Sequence, residues 1–385
     1  MTDQLSLKVP EAYSQIFESK PEFCIFAPGR INLIGEHTDY SEGFVFPMAI
    51  SQGIVMGFSP RSDDHIKLYS LDFDQVLDQD IHTFTKGDGG WKDYIKGIAW
   101  ALGDLSGDIN GFEGVFAGNL PIGAGLSSSA ALEMAALRSF CIANSIDLPE
   151  DEMAKLGLKA ERDWIGVNCG IMDQLISVKG KSGHALKLDC RTLASEYVPI
   201  PEGVSFVVLD TKTRRTLSHS AYNTRHEEVK KAACILGVTY LRDASLKLLD
   251  AKKEELEPVL YQRAKHVITE NERVHQFSQV MKNNDLDTMG QLINASHESL
   301  RDDFEVSSDE LNVIVELAQA QDNCLGARMT GAGFGGCALA MIFKDALPSF
   351  INNISHRYQA STGIKPHLFS VESSDGVHTL SEFQD

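Results

Sequence analysis

The stretch Leu120-Pro-Ile-Gly-Ala-Gly-Leu-Ser-Ser-Ser-Ala-Ala-Leu-Glu133 constrains this chain more than any other. It follows a strand-like run, Gly111 to Ala117, and opens a helix-like one, Ser128 to Ala143. Gly123 and Gly125, with Ala124 between them and Leu126 after, let the backbone come close to a ligand. Amide groups at a helix start, backed by the positive end of the helix dipole, hold a phosphate without any net protein charge. The hydroxyls of Ser127, Ser128 and Ser129 add donors, or an oxygen ligand for a divalent cation. An ordinary loop with a serine cap accounts for the same residues equally well. The loop lacks the Gly-Lys-Ser/Thr ending of a P-loop and the Gly spacing of a dinucleotide-binding turn, so alone it says only phosphate.

That phosphate would meet an acidic chain, with 54 Asp and Glu against 35 Lys and Arg and a formal net charge of −19. Such a field repels polyanions, so nucleic acid and anionic membranes are not expected partners. The seven cysteines are scattered and form no CxxC pair, which argues against a disulfide framework or a structural zinc site and for a reducing compartment. Met1 to Leu7 contains Asp3 and lacks a basic region followed by an apolar run, and no stretch of about 18 apolar residues occurs. A cytoplasmic location is therefore expected. A chain of 385 residues has room for two domains, and a change of texture from β-rich to helix-heavy puts the boundary near residue 200, giving 1–200 and 201–385.

Runs rich in aromatic and β-branched residues predict strands at 23–27, 43–58, 65–71 and 111–117, then at 184–189 and 204–210. Helical spacing predicts helices over 128–143, 153–164, 219–235, 257–280, 285–300 and 307–320. Strands and helices in this arrangement read as an α+β protein.

Three further segments carry chemistry. Ala27-Pro-Gly-Arg-Ile-Asn-Leu-Ile-Gly-Glu-His-Thr-Asp-Tyr40 sets Arg30, Asn32, Glu36, His37, Thr38 and Asp39 between two apolar runs. A polyhydroxylated ligand needs such a set, because each hydroxyl asks for both a donor and an acceptor. Asn168-Cys-Gly-Ile-Met-Asp-Gln174 places Asp173 among apolar neighbours, either as a helix cap or as a general base. Arg328-Met-Thr-Gly-Ala-Gly-Phe-Gly-Gly-Cys337 is either a tight turn between strands or a second loop over a ligand. The twelve histidines show no metal-binding spacing.

Together and in this order, the four segments resemble those of the GHMP small-molecule kinases, and within them the galactokinases. GRINLIGEHTDY with its continuation GFVFP looks like the galactokinase signature, whereas PIGAGLSSSAA and MTGAGFGG are similar to motifs shared across the superfamily. CGIMDQLIS, HALKLDCR and RTLSHSAYNTR again resemble galactokinases, and coverage runs from about residue 20 to 370. The resemblance implies two domains, an N-terminal ribosomal-S5-like one and a C-terminal ferredoxin-like one, with the active site between them. It implies transfer of the ATP γ-phosphate to the C1 hydroxyl of galactose, the entry of that sugar into catabolism, with Mg²⁺ as cofactor. Asp173 then corresponds to the catalytic base and Arg30 to its assistant. Glu36, His37, Thr38, Asp39, Gly170 and Tyr222 correspond to the sugar-binding set. Residues 123 to 129 match the phosphate loop, and Ser129 and Glu161 the metal ligands. Trp91 falls where the family has an adenine-pocket aromatic, and Ser70 near another nucleotide contact. The partners so implied are galactose and ATP, with the chain a monomer or weak homo-oligomer. Related kinases acting on N-acetylgalactosamine or mevalonate, and a sugar sensor that has lost turnover, remain the alternatives at this point.

Overall fold

The computed structural model describes residues 2–380 apart from 88, 122 and 215–217. The segment Arg215 to Arg225, one of those carrying the resemblance, therefore lies partly outside the described residues.

The chain opens with α1 (Thr2–Phe17), whose Leu5, Val9 and Tyr13 recur every fourth residue and pack with Phe26, Val55 and Val115 on one side of a sheet. Next come β1 (Phe23–Asn32), β2 (Phe44–Val45), β3 (Pro47–Pro60), β4 (His65–Ser70) and β5 (Gln75–Asp80). α2 (Trp91–Ser106) leads into β6 (Phe112–Gly118), and the glycine and serine loop then enters α3 (Ser128–Ala143). α4 (Glu150–Lys159) runs on as a π-helical turn, Ala160–Ile165, before α5 (Met172–Lys179), β7 (His184–Asp189), β8 (Ser195–Pro199) and β9 (Val204–Asp210). The helical part comprises α6 (Ser218–Leu236), α7 (Leu246–Ala251), α8 (Pro258–Lys282), α9 (Leu286–Asp302) and α10 (Asp309–Gln319). β10 (Cys324–Thr330), β11 (Cys337–Phe343), α11 (Leu347–Thr362), β12 (His367–Val371) and β13 (His378–Thr379) complete the chain.

The first sheet has six strands in the order β13-β1-β3-β6-β4-β5, antiparallel except for the parallel β4–β6 pair. β2, β7 and β8 form a small antiparallel sheet beside it. The remaining sheet has the order β10-β11-β9-β12 and is wholly antiparallel. Numbered from β9, its strands lie 2-3-1-4 with helices in both crossovers, which is the ferredoxin-like βαββαβ arrangement. The architecture is thus two-domain α+β. The largest apolar cluster is shared: Phe46, Leu126 and Leu137 from the first half contact the same core as Phe206, Phe277 and Leu339 from the second. Burying apolar surface across this boundary holds the two halves against each other at roughly 25 cal/mol per Å². Among the described residues no helix is long and apolar enough to cross a membrane.

Two irregularities aim side chains into the space between the halves. β1 carries a bulge between Pro28 and Arg30, which turns Arg30 out of the pleat, and its backbone N–H donates to the Leu126 carbonyl at 3.1 Å. The π-helical turn after α4 inserts extra backbone at Glu161 and so re-aims that residue.

Candidate active site

Asp173 stands in the first turn of α5, and Arg30 reaches it from the β1 bulge. Arg30 Nε donates to Asp173 Oδ1 and Nη2 to Oδ2, both at 2.9 Å, in the two-point geometry that fixes a carboxylate in direction as well as distance. The Ser127 hydroxyl donates to Oδ2 as well, and Arg30 Nη1 donates to the Gly125 carbonyl. The arginine thereby ties the carboxylate to the glycine and serine loop. Its side chain is 6% exposed and that of Asp173 29%, so the carboxylate faces a cavity while the guanidinium behind it is sealed.

The loop has the conformation its composition demands. Gly123, Gly125 and Ser127 all take positive φ, at 66°, 76° and 59°, the last a strained setting for a residue with a side chain. Ala124 and Leu126 are buried and anchor the loop, while Gly123 is exposed. Ser128 and Ser129 begin α3, with Ser129 on the cavity wall. The second glycine-rich stretch is the first of the two things that its sequence allows. It is the turn between antiparallel β10 and β11, and it lies backbone to backbone against the first loop. A Cβ at Gly331, whose φ is 83°, would sit 2.8 Å from the Gly125 carbonyl oxygen.

Behind Ser129 lies an acidic pair. Glu161 is buried, and burial raises its carboxyl pKa, with hydrogen bonds from Cys169 and Ser129 countering and the charge of Asp173 adding to the rise. The Cys169 thiol donates to Glu161 Oε2 at 2.9 Å. Glu133, four residues beyond Ser129 on α3, is fully buried and pushed well above the usual carboxyl range, by burial first and by Glu161 second. It accepts from Gln174 Nε2 at 3.2 Å, and Oε1 has no partner among the described residues.

The opposite wall is the loop after β1. Asp39 faces the cavity against Gly170, where any side chain would collide: a Cβ there would lie 2.0 Å from Asp39 Oδ2. Burial, then the charge of Asp173, pushes the Asp39 carboxyl up to about 7. His37 Nε2 lies 3.1 Å from the Ala332 carbonyl and Nδ1 3.1 Å from the Tyr40 hydroxyl. Since a carbonyl only accepts, Nε2 carries the proton and Nδ1 accepts from Tyr40. Burial, with His266 next, lowers the His37 pKa to about 3, so the ring is neutral. Glu36 accepts from Asn32 Nδ2 and from the Gly331 N–H, and Thr330 Oγ1 adds a bond at 3.3 Å. Tyr222, on α6, closes this side, its ring 5.4 Å from that of His37.

Arg30, Glu36, His37, Asp39, Ser129, Glu161, Gly170, Asp173 and Tyr222 thus share one cavity, as the sequence leads one to expect of a common site. Thr38 does not line it; its hydroxyl bonds to the Phe44 carbonyl at 2.7 Å and lies 3.0 Å from that of Gly35, bracing the loop from within. Ser70 and Trp91 sit together elsewhere. Ser70 pairs with Gln75 across β4 and β5, and Trp91 Nε1 donates to Gln75 at 3.1 Å while its ring packs on Phe116. Tyr94, Val167, Met172 and Asn223 also line the cavity, and reading the sequence did not mark them. Tyr94 and Asn223 were reachable, being one helical turn beyond Trp91 and next to Tyr222.

A glycine- and serine-rich loop at a helix start beside a forked arginine–carboxylate pair, set between an α/β half and a ferredoxin-like half, is the arrangement of a small-molecule kinase of the GHMP class. Models of the GHMP kinase N-terminal and C-terminal domains match residues 93–181 and 277–359, and one of the galactokinase galactose-binding signature matches residues 11–60. The galactokinase of Lactococcus lactis, solved in complex with galactose, is 36% identical, with a TM-score of 0.93 over 96% of this chain and 98% of that one. The mevalonate kinase of Methanococcus jannaschii shares the fold at 19% identity, with a TM-score of 0.64 over 91% of this chain and 98% of that one. A homoserine kinase from Cytophaga hutchinsonii does so at 13%, with a TM-score of 0.60 over 93% and 97%. The chain belongs to the galactokinase family.

Proposed function

We propose that this cavity is where the chain transfers the γ-phosphoryl group of ATP to the C1 hydroxyl of galactose, yielding galactose 1-phosphate and ADP. The observation that carries this reading is the position of Asp173: forked by Arg30, bonded to Ser127 of the phosphate loop, and facing Asp39 and Gly170 across one cavity. Phosphoryl transfer asks the protein mainly to position the reactants and neutralise charge.

Asp173 receives the proton of the anomeric hydroxyl as that oxygen bonds to phosphorus and the bond to the ADP oxygen breaks. A carboxylate is a weak base, so the proton moves late, once bond formation has acidified the hydroxyl. Arg30 fixes the base in direction and offers its charge to the phosphoryl oxygens. The amides of the 123–129 loop and the start of α3 hold the phosphates. Glu36 and Asp39 accept from sugar hydroxyls and Tyr222 supplies a neutral polar contact, while His37, both its ring nitrogens engaged by Ala332 and Tyr40, lines the sugar side with its ring. A site built to bond a given hydroxyl leaves buried groups unpaired when its epimer binds, which selects galactose over glucose.

Mg²⁺ fits the residues present. Among the described residues no three His, Cys, Asp or Glu side chains form a metal cage, but this cation needs only one or two protein oxygens beside phosphates and water. Ser129 Oγ and Glu161 would hold it, and a cation is what a buried carboxyl with no basic partner among the described residues calls for. Bound there, Mg²⁺ would neutralise charge on the phosphates. Glu161→Gln should raise the Mg²⁺ concentration needed for half-maximal rate.

The deciding experiment is ADP release measured with galactose, glucose, N-acetylgalactosamine and mevalonate in parallel. Turnover with galactose far above the others supports the reading. Equal rates, or none with galactose, would refute it.

A further inference from the structure

Behind the sugar side of the cavity lies a charge that the mechanism above does not use. Arg328, on β10, is 0% exposed and among the largest fully buried side chains. Its Nη1 donates to the Asn32 carbonyl at 2.8 Å. Among the described residues Nε and Nη2 have no hydrogen-bond partner, and Glu36 Oε2 lies 3.6 Å from Nη2. A guanidinium taken wholly out of water with two donors idle is costly, and for stability alone an apolar side chain of similar volume serves as well. Its presence is explained by an anion that it must hold.

Glu36 is that anion. Its two oxygens are gripped by Asn32, Thr330 and Gly331, and Arg328 bonds to the same Asn32 whose side chain grips Glu36. The backbone on either side is pinned from α8: Glu270 Oε1 accepts from the Gly35 N–H at 2.8 Å and the Glu36 N–H at 3.3 Å, and His266 Nε2 donates to the Glu36 carbonyl at 3.1 Å. Burial opposes the charge on Glu270, but Arg273, His266 and Arg328 together hold its carboxyl down at about 2.

We infer that Arg328 is a positioning residue for sugar recognition, holding the Glu36 carboxylate in place between the loop after β1 and the β10–β11 turn so that it presents one edge to the sugar. The inference rests on the reading of this cavity as the galactose site. Arg328 is fully buried and does not line the cavity, so it acts only through Glu36. Lysine keeps the charge but cannot reach Asn32 and Glu36 together from one planar fork.

The test is a cycle of Arg328→Lys, Glu36→Gln and the double variant, with KM measured separately for galactose and ATP. Arg328→Lys should raise the galactose KM about tenfold, the scale of one disturbed buried hydrogen bond, and leave the ATP KM within about twofold. The double variant should be no worse than Glu36→Gln alone, since Arg328 has nothing left to position. Additive effects, or an ATP KM that rises equally, would overturn the inference while leaving the galactose site standing. An unchanged galactose KM in Glu36→Gln alone would instead remove Glu36 from the sugar site and take the inference with it. Should Arg328→Lys not fold, melting temperatures decide: Arg328→Met combined with Glu36→Gln should melt higher than Arg328→Met alone, because the stranded carboxylate is gone. Equal melting temperatures overturn the pairing.

Discussion

Asp173 and Arg30 meet edge to edge, two nitrogens on two oxygens at 2.9 Å, although 143 residues separate them in the chain. Replacing Asp173 by Asn keeps the shape of the group and removes the proton acceptor. The expected result is a fall in kcat of about 10²- to 10⁴-fold, the usual worth of a positioned general base, with galactose still binding. Steady-state rates together with calorimetric titration of galactose check this, and near-normal turnover in a folded variant would take Asp173 out of the mechanism.

Gly170 gives a second test, because space and not flexibility is what it supplies. A methyl group there would overlap the Asp39 carboxylate, 2.0 Å from Oδ2. Gly170→Ala should therefore push Asp39 off its place and raise the galactose KM roughly tenfold or more, at the cost expected of a strained polar contact. The ATP KM should hardly move, since the phosphate loop belongs to another segment. Loss of both affinities together would mean that the site as a whole had shifted.

The pH dependence follows from Asp39. Its carboxyl is raised from 3.8 to about 7 in the folded chain, so the native state binds that proton more tightly than the unfolded one. The associated stability is complete below about pH 4 and is lost as pH rises to about 7. Accepting from a sugar hydroxyl favours the ionised form, which runs the other way. Galactose affinity should increase as pH rises through about 7, and Asp39→Asn should flatten that profile while lowering the plateau. Titrating galactose between pH 5.5 and 8.5 in both proteins would show it; parallel profiles would assign the pH dependence to another group.

Glu133 is a stability test. It is buried with one oxygen unpaired among the described residues, and its carboxyl is raised well above the ordinary range, so burial favours its neutral form. The stability it carries is present in acid and declines as pH rises beyond the unfolded value near 4.5. Glu133→Gln keeps the acceptor for Gln174 and removes the charge that burial penalises. The variant should melt no lower than the parent at pH 6 and higher at pH 8. A large loss at both values would show that the carboxyl has a partner that glutamine cannot serve.

Much of this was legible in the residues, for physical reasons. β7 and β9 carry short β-branched or apolar runs bounded by Gly or Asp, and their predicted limits agree with the structure. α3 announces itself through the serines that begin it, and α8 through Pro258. What escaped was structure made by tertiary contact. α1 contains Pro10, a signal against a helix, yet Leu5, Val9 and Tyr13 bury themselves on the sheet. β5 reads as a polar run because it is an edge strand with one buried residue, Leu77. The predicted helix over 153–164 is α4 and a π-helical turn, and nothing local distinguishes five-residue from four-residue hydrogen bonding. In the site, Asp173 stood out as a carboxylate among apolar neighbours, and Asp39 as one of a polar set between two apolar runs. Arg328 did not, since its burial depends on β10 being covered on both faces.

The end of the chain returns to where it began. β13 lies along β1, pairing Ile25 with Thr379 and Phe26 with His378, and Ser373 bridges to Ile50. The ferredoxin-like half is therefore an excursion inserted into the first half, tethered by the segment between β8 and β9 going out and the segment between β12 and β13 coming back. A single tether permits swivelling about any axis, whereas two tethers define a hinge line. Any relative movement of the halves is restrained by both connections at once as well as by the shared core, and both act to keep Gly331 against Gly125.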